Sequence, residues 1–77
     1  MTKEQVYAAK AMFEKEIRNT ARRLNIKVEE TVRTPQLVYL IMKKTSSELV
    51  IKRTMNHYAH YVQMNQRIDL EIWEEEE

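Results

Sequence analysis

A chain of 77 residues is one small domain, able to bury only roughly 60% of the surface its unfolded form exposes. With 43% hydrophobic residues, 32% charged residues and no cysteine, it excludes wholesale disorder, a disulfide framework and a thiolate metal site. The formal net charge of +1 hides an asymmetry, because all 13 basic residues precede Asp69 while six of the 12 acids lie in the closing stretch "DLEIWEEEE".

The first element is a helix. Thr2 and Gln5 match a capping box, in which each side chain satisfies a backbone donor at a helix start. Val6, Ala9, Phe13, Ile17, Thr20 and Leu24 then recur at steps of three and four, one apolar stripe on a helix running to about Leu24. Asn25 serves as the left-handed cap in a chain with no glycine.

Beyond Asn25 the spacing changes to alternation. Ile26, Val28 and Val32 in "IKVEETV", and Ile68, Leu70 and Ile72 in "RIDLEIW", predict half-buried strands. Between them, "QLVYLIMKK" and "ELVIKRTM" are rich in β-formers and flank "TSS", which reads as a hairpin connection. Residues 56–65 read as a strand on their aromatic content, or as a short helix capped by Asn56 with Met55, Tyr58, Ala59 and Val62 on one side. The expected fold is therefore α+β: an N-terminal amphipathic helix on an antiparallel meander of four to five strands, or αβββαβ with a second short helix near 56–65. One domain spans residues 1–77, with a frayed acidic tail at 74–77.

Catalysis finds little material. Without cysteine, and with Ser46 and Ser47 in a turn, no nucleophile has a base beside it, and without glycine no phosphate-cradling loop exists. In "HYAHY" a strand sends His57 and His60 to opposite faces, and no further metal ligand has a suitable spacing. No enzyme activity, metal or cofactor is expected. The start of the chain carries scattered charges, and the longest strongly apolar run is "LVYLIM", so a soluble cytoplasmic protein with no membrane partner is expected.

Two functions remain. A single helix covers one sheet face, yet "LVYLIM" as a strand is apolar on both. Leu37, Tyr39, Ile41, Tyr61 and Trp73 thus become candidates for an interface with a second copy or another protein, in a small regulatory module. This profile also suits, by analogy, an accessory regulator of the kind mobile elements and phages encode. The alternative is an accessory protein that binds nucleic acid. Lys15, Arg18, Arg22 and Arg23 follow one another along the helix, Lys43, Lys44, Lys52 and Arg53 flank the "TSS" turn, and the acidic tail modulates both patches. The same arginines can instead oppose the helix dipole, with Glu14 pairing to Arg18.

Overall fold

A computed structural model describes residues 1–73, which form three helices: α1 (Lys3–Arg23), α2 (Thr34–Lys44) and α3 (Glu48–Asp69). Glu74 to Glu77, read above as an acidic tail, lie outside the described residues. The expected α+β fold is overturned, since no strand occurs among the described residues. The αβββαβ alternative fails with it: residues 56–65 are helical, but as the middle of the 22-residue α3 rather than a short insertion.

The helix starts explain much of the correction. Thr2 accepts from the Gln5 N–H at 3.2 Å and Gln5 Oε1 accepts from the Thr2 N–H at 2.8 Å, so the capping box opens α1 as expected. Pro35 occupies the first turn of α2, where its missing N–H costs nothing and its fixed φ favours the helix. At the "TSS" segment Ser47 caps α3, accepting from the Val50 N–H at 3.4 Å, and Thr45 accepts from the Ser47 N–H. The expected hairpin is thus a turn between helices.

The ends of α1 and α3 follow one plan. Asn25 takes φ 61°, and the Ile26 and Asn25 N–H groups donate to the Ala21 and Arg22 carbonyls. Glu71 takes φ 52°, with Ile72 donating to Arg67 and Glu71 to Ile68. Both are Schellman closures, with a left-handed residue just past the cap and an isoleucine after it. The alternation in "RIDLEIW" therefore marks a helix end, not a strand. Ile26, Val28 and Val32 lie in an irregular link from α1 to α2 and turn inward onto the core.

Helix α3 runs antiparallel to α1. Tyr7 stacks near Trp73 with centroids 6.3 Å apart, and Phe13 meets His57 and His60 at 6.2 and 5.0 Å. Trp73 is thus placed against α1 rather than on a sheet face. In α3 the positions Val50, Thr54, His57, Tyr61, Met64 and Ile68 recur at steps of four and three, a coiled-coil spacing. Helix α2 packs on one half of this pair, where Ile17, Ala21, Leu37, Val38 and Ile41 form the buried core. Val50, Leu24 and Tyr58 close around it.

Two polar atoms of the α3 seam, Thr54 Oγ1 and His57 Nδ1, are buried without a hydrogen-bond partner. Thr54 is only 1% exposed, so its hydroxyl carries the full cost of desolvation. Thr54→Val keeps the shape and removes the stranded group, and unfolding free energy is expected to rise by about 1 kcal/mol. Urea titration would read this as a higher midpoint at unchanged slope. A lower midpoint would mean that the hydroxyl contributes a bond the valine cannot replace.

Candidate nucleic-acid interface

The antiparallel arrangement sorts the charges by end. Helix α1 finishes with Arg22 and Arg23, α2 finishes with Lys43 and Lys44, and α3 carries Lys52 and Arg53 just after its start. Because α3 returns beside α1 and only residues 45–47 separate α2 from α3, these six residues lie toward one end of the bundle. Arg23 and Arg53 line a common cavity of about 140 Å³ together with Thr20, Leu24 and Val50. All six basic residues are exposed, and none forms an ion pair among the described residues. Glu48, in the first turn of α3, is the acid nearest to them in the chain, and it suits the positive end of that helix dipole. The opposite end mixes Lys3 and Arg67 with Glu4, Asp69 and Glu71.

Two of the basic residues expected on this surface are placed elsewhere. Arg18 is half-buried and donates to the Val32 carbonyl at 2.8 Å and to the Glu29 carbonyl at 3.4 Å, fastening the link between α1 and α2. It does not pair with Glu14, whose carboxylate instead accepts from the Thr34 hydroxyl at 3.3 Å. Lys15 is exposed on α1, two turns before the basic end. Arg22 makes one weak contact, donating to Asn19 Oδ1 at 3.3 Å.

The residues expected at a protein interface are divided by the helix. Leu37 and Ile41 are fully buried in the chain's own core, whereas Tyr39 is 61% exposed on the outer side of α2. Tyr61 and Trp73 are half-buried. The sequence reading missed the outer surface of α2, where Val32, Pro35, Gln36, Tyr39 and Leu40 line an apolar groove of about 470 Å³. Lys43 Nζ lies 5.2 Å from the Tyr39 ring centroid, a cation–π distance. A helical reading of "TPQLVYLIMKK" would have found this surface from the i, i+4 spacing alone.

The "HYAHY" stretch resolves into two ring clusters. His57 and His60 meet at Phe13, and the His60 Nδ1–H donates to the Asn56 carbonyl at 2.8 Å. Both histidines thus approach the same ring, contrary to the opposite faces a strand would give. Among the described residues no three His, Asp or Glu side chains gather to hold a metal ion. Tyr58 and Tyr61 stack at 6.2 Å and line a cleft of about 870 Å³ beside the start of α2. That cleft carries Glu14, Glu30 and Asp69 against Arg33, and Arg18 is already engaged with carbonyls, so its charge is mixed.

Among the described residues no helix is long and apolar enough to cross a membrane. Compared with protein-family models, curated proteins and solved structures, the chain matches none.

Proposed function

We propose that this protein is a non-catalytic nucleic-acid-binding module that grips the phosphate backbone with its basic end. The observation that carries the reading is the convergence of Arg23 and Arg53 on one cavity, with Lys43 and Lys44 at the end of α2 and, among the described residues, no carboxylate pairing any of them. These cations lie on the half of the molecule where α2 packs on α1, with Val50 and Tyr58 of α3 closing the core. A rigid base lowers the ordering cost of binding.

Cations that replace counterions on phosphates give a binding constant that falls steeply with salt. If the six side chains each neutralise one phosphate, affinity for a labelled oligonucleotide should drop roughly 300- to 2,000-fold between about 50 and 200 mM salt. Fluorescence anisotropy measures this directly. A flat salt dependence, or no binding at low salt, would remove the proposal.

A module acting through protein contacts is the second reading. It is favoured by Tyr7, Ala8, Ala11 and Met12, an exposed apolar stripe on the outer side of α1. Light scattering at high micromolar concentration separates the two readings, since a strict monomer leaves self-association without support.

A further inference from the structure

We propose that the ligand of this surface is single-stranded nucleic acid, with an unpaired base lying in the outer groove of α2 against Tyr39. The inference rests on the backbone-binding reading above and names the form of the nucleic acid.

The exposed side of α2 carries two rows at i, i+4 spacing. Pro35, Tyr39 and Lys43 form one, and Gln36, Leu40 and Lys44 the other. Each row begins in the groove and ends in a lysine of the basic end. Lys43 joins the two environments physically, since its ammonium sits 5.2 Å from the Tyr39 ring centroid. A strand laid along α2 would therefore meet an aromatic and apolar wall at one step and cations at the next.

That order matches a single strand and not a duplex. An unpaired base offers a flat π surface to stack on a ring, while its phosphate stays on the cationic side. A duplex keeps those faces inside its own stack and offers phosphates, sugars and groove edges, so Val32, Pro35, Tyr39 and Leu40 would meet little apolar surface beyond thymine methyl groups. Charge complementarity selects against another occupant. A second copy pairing α2 with α2 would bring Lys43 and Lys44 near their own counterparts or leave them unpaired at the rim.

The test uses the full chain with a fluorescent oligothymidylate of about 12 nucleotides, the matching oligouridylate, and a duplex of equal length. Single strand of either kind should bind more tightly than duplex at equal salt. Tyr39→Ala should weaken single-strand binding by about tenfold without changing its salt slope, and leave duplex binding alone. Tyr39→Phe should retain the wild-type affinity, because stacking needs the ring and not the hydroxyl. Circular dichroism of both variants should match wild type, as Tyr39 stands largely outside the core. Equal binding of duplex and single strand with no effect of Tyr39→Ala would overturn the inference while leaving the basic-end reading in place. Loss of salt-sensitive binding to every probe would overturn both. A wild-type dimer that Tyr39→Ala dissociates, with oligonucleotide affinity unchanged, would assign the groove to a second copy instead.

Discussion

Leu37→Ala is expected to unfold most of the protein. Leu37 is fully buried between α1 and α2, in a cluster with Ile17, Ala21, Val38 and Ile41. Truncating such a side chain costs about 2 to 5 kcal/mol. A single core in a chain this short rarely supplies more than about 3 to 5 kcal/mol in total. The informative experiment is an alanine series through 37–41, read by urea midpoint. Leu37 and Ile41 should each cost several kilocalories, whereas Tyr39, 61% exposed, should fall within about 0.5 kcal/mol of wild type. In a strand, Leu37, Tyr39 and Ile41 share one face and would lose stability together. A large loss at Tyr39 would therefore contradict the helical face assigned here, and with it the freedom of that ring to meet a ligand.

The second large effect is on binding. Substituting Arg23, Lys43, Lys44 and Arg53 together by glutamine should reduce single-strand affinity about 600-fold at about 0.1 M salt, since each phosphate contact contributes a factor of about five there. The salt slope should flatten by about 2.8 in the same titration. Stability should change little, because all four side chains are exposed and none is in an ion pair among the described residues. Arg18→Ala supplies the contrast. It strips the link between α1 and α2 of its bonds to the Val32 and Glu29 carbonyls, so it should destabilise by about 1.5 to 3 kcal/mol and leave the salt slope unchanged. A slope that responds to Arg18 as much as to the quadruple substitution would mean that the arginines act as a general charge field and not as an assembled surface.

Helix α1 was readable from its residues because every local signal agreed: the Thr2–Gln5 box, the stripe from Val6 to Leu24, and an asparagine where the chain turns left-handed. The other two helices were hidden for separate reasons. In α2 the β-formers of "LVYLIM" outweighed Pro35, although proline in a first turn is itself a helix signal. In α3 the seam positions Thr54, His57 and Tyr61 are polar or amphipathic, so counting only aliphatic residues breaks the repeat that Val50, Met64 and Ile68 would otherwise extend. Short alternating windows then filled the gap. The expectation that Lys43 and Lys44 approach Lys52 and Arg53 rested on a hairpin that does not form, and in its place residues 45–47 join the end of α2 to the start of α3. Arg18 was assigned to the wrong partners because its acceptors are backbone carbonyls, which no side-chain pattern announces.

The two Schellman closures have a consequence for the denatured chain. Asn25 and Glu71 hold positive φ where most proteins spend a glycine, and Glu71 does so at a local cost of about 1 kcal/mol or more. A sequence of 77 residues with no glycine at all has a narrower set of backbone states when unfolded, and each glycine avoided is worth about 0.4 to 1 kcal/mol of entropy that folding need not overcome. The strain kept at two helix ends is thus offset across the whole unfolded ensemble. A domain with so small a core gains part of its stability from what its denatured state cannot explore.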